Sequence, residues 1–269
     1  MNDDLLVDVD EHGVMLATFN RPEQMNSLSA DLRNGLHDAL ERASEDDSIR
    51  ALVLTGNGRA FCAGAEVTAT ASPDAASEQT RVPSRHARLD HRGDSGRTVE
   101  AFVDCDVPII AAVNGAAVGA GFGIACCADI RIMGASARVS PIFIKRGVAS
   151  DYGASYWLPR IVGVARAYEI FYEGDLLSAD RALEIGLANR VVPDELLLDE
   201  ALAYARRIAA GPPLAYTYLR RLIQRSTDMP VHEFAEMEWL FQSNLLRTAD
   251  ATEGFRSFVE QRDPEFTGL

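Results

Sequence analysis

The sequence predicts an α/β fold that passes into a helical C-terminal region, and three observations lead there. Short apolar runs, Ala51 to Leu54 and Ile109 to Val113, read as strands buried on both faces. Each is followed by a glycine-bearing turn and small residues, the pattern of a strand feeding a turn and a helix. From Ser178 onward, apolar residues recur almost throughout at helical spacing.

Taken in order, Leu5 to Val9 and Val14 to Phe19 alternate like a hairpin around Glu11-His12-Gly13, with Gly13 suited to the left-handed turn position. Asn20-Arg21-Pro22 reads as a loop. Ser29 is the expected cap of a helix that carries Leu32, Leu36, Ala39, Leu40 and Ala43 on one face, and Glu45-Asp46-Asp47 ends it. The Ala51 to Leu54 strand follows. Thr68 to Arg97 has little periodicity and is rich in Ala, Ser, Pro, Arg, His and Asp, the character of a lid or an insertion. His86 and His91 in it have no metal-ligand spacing and read as solvated surface groups.

The most informative stretch is Val107 to Ala128, which has no charge and is built of glycine, alanine and asparagine. Gly115, Gly119, Gly121 and Gly123 lie between the Ile109 to Val113 strand and a small-residue helix over Ile124 to Ala128. A bare backbone there presents unpaired amides at the positive end of a helix, which suits a developing oxyanion. Close packing of helix on strand is the competing explanation. A membrane span is disfavoured by Pro108, Asn114, the glycines and the flanking Asp106 and Asp129. Strands around Ile130 to Met133 and Ala137 to Val139 come next. Ser178 caps a helix through Ile185 that Gly186 ends, Arg190 to Val192 is extended as far as Pro193, and helices are expected over Glu195 to Ala210, Leu214 to Arg225, Val231 to Leu246 and Ala249 to Gln261.

At 269 residues and 47% apolar content, the chain can bury a full core. A net charge of −14 repels nucleic-acid phosphates and anionic lipid, so neither is an expected partner; its ordinary consequence is solubility. Cys62, Cys105, Cys126 and Cys127 show neither metal nor disulfide spacing and read as buried thiols of a cytoplasmic protein. The acidic N-terminus lacks the basic and apolar regions of an export signal.

The turn Thr55 to Glu66, the loop Asn20 to Leu28, Val113-Asn114-Gly115 leading to Gly123, Cys127-Ala128-Asp129, Leu158-Pro159-Arg160 and the tail Glu253 to Phe258 occur in an order that resembles the crotonase superfamily, the enoyl-CoA hydratase/isomerase proteins, over nearly the whole chain. The resemblance implies a crotonase-like spiral of ββα units over residues 1–195, with a C-terminal helical trimerisation region over 196–269 that serves in trimers or in hexamers made of two trimers. It also implies an acyl-CoA thioester as ligand, with coenzyme A as part of the substrate, and neither a metal nor a separate cofactor. By position, the backbone N–H groups of Ala65 and Ala120 form the oxyanion hole. Arg21, Gln24, Met25, Asn26, Ala63, Gly64, Glu66, Gly119 and Gly121 match the family's substrate and CoA-binding segments. Arg59 and Arg262 are further candidates for the phosphates.

Family hydratases carry two glutamates that manage water and the C2 proton. Here those positions are Gly123 and Phe143, so both carboxylates are absent. Asp151 stands where some family isomerases keep an acidic residue, and a single base suffices to move a proton from C2 to C4. Its bland alternative is to cap the helix toward Trp157. Tyr152 and Tyr156 read as packing or pocket walls, and Asp129 as a backbone anchor. The expected activity is enoyl-CoA double-bond isomerisation through Asp151. The alternatives are a hydratase or related lyase with a base from Thr68 to Arg97, and an acyl-CoA binding protein without catalysis. The spacing of Gly119-Ala120-Gly121-Phe122-Gly123 does not fit a dinucleotide fingerprint.

Overall fold

The computed structural model of the chain describes residues 3–66 and 84–269. β1 (Leu5–Val9) and β2 (Val14–Phe19) form the expected antiparallel hairpin, with Gly13 at φ +77°. α1 (Ala30–Glu45) starts at Ser29, whose hydroxyl accepts from the Leu32 amide at 3.0 Å. It buries the apolar face read from the sequence.

Three successive pairs of strands then climb the molecule: β3 (Ala51–Gly56) with β4 (Ala60–Cys62), β5 (Ile109–Val113) with β6 (Ala116–Val118), and β7 (Ile130–Gly134) with β8 (Arg138–Ser140). The first member of each pair joins a six-stranded sheet, ordered β1-β2-β3-β5-β7-β10, in which every pairing after the hairpin is parallel; β10 is Arg190–Val192. The second members form a four-stranded sheet, β4-β6-β8-β9, where β9 is Leu177–Ser178. Helices α2 (Arg85–Leu89) and α3 (Gly93–Asp104) precede β5. Beyond β6 comes α4 (Ala120–Cys127), and beyond β8 come α5 (Ala154–Val162) and α6 (Val164–Glu173). This alternation is the ββα spiral.

Alternate residues of the central strands serve two cores, as a pleated sheet buried on both faces requires. Leu52, Leu54, Ile109 and Ala111 belong to the larger one, with α1 and α4. Ala51, Val53, Ile110 and Ala112 face Leu197, Ala201, Ala205 and Ala209 of a C-terminal helix (Leu197–Ala209), whose small stripe lets it lie close to the sheet. A short capped helix (Ala179–Glu184) comes before it, and helices over Pro213–Arg225, Val231–Leu245 and Ala249–Glu260 follow it, within a residue or two of the expected ends.

Two expectations need correction. The glycine segment is not a plain turn into a helix at Ile124: it contains β6, and α4 already begins at Ala120. The reason is packing, because side chains on Gly115 and Gly121 would collide with the carbonyls of Arg59 and Cys62, so both glycines let one strand–helix unit lie against the previous one. The Thr68 to Arg97 stretch is not irregular throughout. Its residues 68–83 lie outside the described ones, but 85–89 and 93–97 are helical. The side chain of His86 also lies outside the description; His91 is exposed.

Candidate active site

Three contacts bring the candidate residues together, two of them across glycines against α4. In the first loop, Arg21 turns inward: its guanidinium donates to the Ser27 carbonyl at 2.6 Å and lies 3.7 Å from Glu66 and 3.4 Å from Asp4. Met25 and Asn26 adopt left-handed backbone, at φ 54° and 55°. Asn26 is fully buried, accepts from the Arg21 amide at 2.8 Å and donates to the carbonyls of Asn57 and Ala60 at 3.0 and 2.7 Å. Its side chain therefore holds the loop in shape. Gln24 is exposed on the same turn, and the Met25 carbonyl accepts from the Ala63 amide at 3.0 Å.

The second contact joins that strand end to α4. Gly64, at φ +92°, accepts at its carbonyl from the Leu28 amide at 2.9 Å. A methyl group on Gly64 would meet the Val118 carbonyl at 2.7 Å and the Ala120 amide nitrogen at 3.3 Å. The residue before Ala65 therefore packs close to the start of α4, with no room for a side chain. As the first residue of α4, Ala120 has an N–H that the helix itself does not use. Gly119, at φ +57°, turns the chain into the helix, and the ring of Phe143 packs over it, 3.9 Å from where a methyl on Gly119 would sit.

The third contact brings in Asp151. A methyl on Gly123 would lie 2.6 Å from the Tyr152 carbonyl oxygen and 3.2 Å from that of Asp151. The space that a side chain at Gly123 would need is thus taken by the backbone of residues 151 and 152. Asp151 is exposed, yet the surrounding protein desolvates its carboxyl and raises it above the usual 3.8, opposed by its own amide. It does not cap the following helix through its side chain: Gly153 is the N-cap, and the Ala154 amide donates to the Asp151 backbone carbonyl at 3.1 Å. Tyr152 is buried, and desolvation pushes its phenol up to about 12.

Other groups have structural employment. Asp129 accepts from the Ile109 amide at 2.8 Å and pairs at 2.9 Å with Arg220, which also donates to the carbonyls of Phe102, Val103 and Cys105 and so closes the end of α3. Arg262 is bound to Glu253 and Glu260, while Arg59 is exposed. Burial pushes the thiols of Cys62 and Cys126 up to about 12, which leaves them protonated and poor nucleophiles. Among the described residues, no group of three His, Cys, Asp or Glu side chains is placed to hold a metal ion, and no helix is long and apolar enough to cross a membrane. Sequence reasoning missed the left-handed Tyr152 and the role of Arg220, since neither carries a local signal.

Two sheets wound by ββα turns place the helix-start amide of Ala120 beside a glycine loop, an arrangement of backbone donors suited to an anionic oxygen. The family model for enoyl-CoA hydratase/isomerase matches residues 10–269, and the chain belongs to that family, whose members act on acyl-CoA thioesters. It is 36% identical over 256 residues to a probable enoyl-CoA hydratase of Rhodobacter capsulatus, covering 95% of each chain. It is also 36% identical over 266 residues to the 1,2-epoxyphenylacetyl-CoA isomerase of Escherichia coli K12, covering 96% of each. Among solved structures, an enoyl-CoA hydratase/isomerase from Mycobacterium abscessus superposes with a TM-score of 0.90 at 32% identity, over 98% of this chain and 100% of that one. An enoyl-CoA hydratase from Streptomyces coelicolor A3(2) does so at 0.89 and 34%, over 99% and 94%.

Proposed function

We propose that the protein is an enoyl-CoA double-bond isomerase in which Asp151 is the single base and the amides of Ala65 and Ala120 hold the thioester oxygen. The observation that carries this reading is the replacement at Gly123: no carboxylate stands there, and the Asp151 segment occupies its place. With a 3-enoyl thioester, the Asp151 carboxylate removes a C2 proton and the carbonyl oxygen gains negative charge, which the two amides stabilise. The same carboxylic acid returns the proton at C4, so the double bond moves to C2–C3 and no water is consumed. Desolvation raises the base toward the pH at which it works, which strengthens proton abstraction.

Arg21, Gln24, Met25, Asn26, Ala63, Gly64, Glu66, Gly119 and Gly121 form the CoA and thioester cradle, the inward Arg21 and Asn26 by shaping it and the small residues by leaving room. Coenzyme A enters as part of the substrate, with no separate cofactor or metal. A homotrimer or hexamer in the cytoplasm completes the reading; apolar side chains left exposed on the last helices, among them Trp239, Leu240, Phe255, Phe258 and Val259, favour association. The hydratase reading draws on the names of relatives such as the Rhodobacter protein. It requires a base from the Thr68 to Arg97 segment, part of which lies outside the described residues. Assaying 3-enoyl-CoA isomerisation beside crotonyl-CoA hydration tests the choice: faster isomerisation is expected, and efficient hydration without isomerisation would overturn it. Turnover of neither, with saturable acyl-CoA binding, would favour a non-catalytic binder.

A further inference from the structure

Residues four apart on a helix share a face, and Gly123 and Cys127 of α4 do so under a single backbone group. The Tyr152 carbonyl oxygen lies 2.6 Å from where a Gly123 methyl would sit, and the Cys127 thiol donates to the same oxygen at 3.5 Å. Tyr152 is held at φ +46° and Gly153 at φ +70°. A bulky residue in left-handed backbone is unfavourable and persists only where its surroundings fix it. Here the fixing is visible: Tyr152 and Cys127 are both buried, and Gly153 backs onto Trp157 and Val99, with methyl-position distances of 3.1 Å to each. Burial raises the Cys127 thiol well above its usual value, so it stays protonated and able to donate.

We propose that Gly123 and Cys127 form a seat for the Tyr152 backbone that positions the Asp151 carboxylate, and that Gly123 thereby decides which carboxylate this protein uses. The inference rests on Asp151 as the base. A side chain at 123 and the Asp151 segment exclude each other, because even a methyl would press on the carbonyls of Tyr152 and Asp151. The absence of the hydratase glutamate is therefore a condition for the aspartate. Gly123 acts as a specificity determinant and Cys127 as a positioning residue, both through the Tyr152 backbone.

The test compares Gly123→Ala, Cys127→Ala, Cys127→Ser, Cys126→Ala and Asp151→Asn in steady-state isomerisation of a 3-enoyl-CoA, with melting curves and saturated acyl-CoA binding for each. Gly123→Ala is expected to lower kcat at least ~10-fold with KM within about threefold, the signature of a displaced base with intact binding. Cys127→Ala should lower kcat by roughly 3- to 10-fold, and Cys127→Ser, which keeps a donor to the Tyr152 carbonyl, should recover to within about twofold of wild type. Cys126→Ala, the neighbouring thiol, should match wild type. Wild-type kcat in Gly123→Ala, or Cys127→Ser no better than Cys127→Ala, would overturn the seat; if Gly123→Ala does not fold, the Cys127 pair decides. Loss of activity in Asp151→Asn alone, with the seat variants unaffected, defeats the seat and spares the base. Unchanged isomerisation in Asp151→Asn defeats both.

Discussion

The two walls of the site reach close packing by opposite means. The wall made by residues 60–66 and 115–121 uses glycine wherever backbone must approach backbone, with Gly64 and Gly119 in positive-φ conformations that cost glycine little. The wall made by residues 141–153 takes left-handed backbone at Ile142 and Tyr152, where an L side chain is disfavoured. The first wall carries the Ala65 and Ala120 amides to which the proposed reaction assigns the thioester oxygen. The second wall is held by its packing against α4, and it carries Asp151, the proposed base.

The largest expected effect lies on the first wall. Gly64→Ala, whose methyl would meet Val118 and the Ala120 amide, should lower kcat/KM by about 10²-fold or more, the scale of losing an oxyanion donor; steady-state kinetics would show it, and a loss below tenfold would mean that the amides are not packed as described. Away from both walls, Arg220→Ala leaves Asp129 and the end of α3 without their partner and should cost about 3 kcal/mol of stability in denaturant unfolding. Ser29→Ala, which removes the cap of α1, should cost about 1 kcal/mol by the same measurement and leave turnover unchanged. Smallest is a linkage effect on the second wall. Desolvation raises Asp151 above 3.8 in the folded state, so folding binds this proton more tightly, and the stability it contributes at low pH is lost as pH rises through the folded value. Asp151→Asn, which does not ionise, should accordingly melt at pH 7 at or slightly above wild type; a clearly lower melting temperature would contradict the desolvated carboxylate.

The difference between the walls also explains what could be read from the sequence. The hairpin, the Ser29 cap, the buried strands and the C-terminal helices announce themselves through periodicity and capping residues, and they lie within a residue or two of where they were expected. The first wall was legible because its glycines are in the sequence. Strands β4 and β6 were not, since three residues are too few for a period and their pairing is nonlocal. The second wall was legible only through the position of Asp151. Nothing local marks Tyr152 as left-handed or Cys127 as its donor, because both facts arise from contact between residues 25 apart in the chain.

The central claim is that Asp151 moves a proton between C2 and C4, and the most direct measurement of it is 3-enoyl-CoA isomerisation by wild type and Asp151→Asn, with crotonyl-CoA hydration and saturated acyl-CoA affinity recorded alongside. The substitution keeps the size of the side chain and removes the base. Isomerisation is expected to fall by at least about 10²-fold with acyl-CoA affinity near wild type and hydration slow in both proteins. Isomerisation unchanged by the substitution, or efficient hydration by the wild type, would contradict the account.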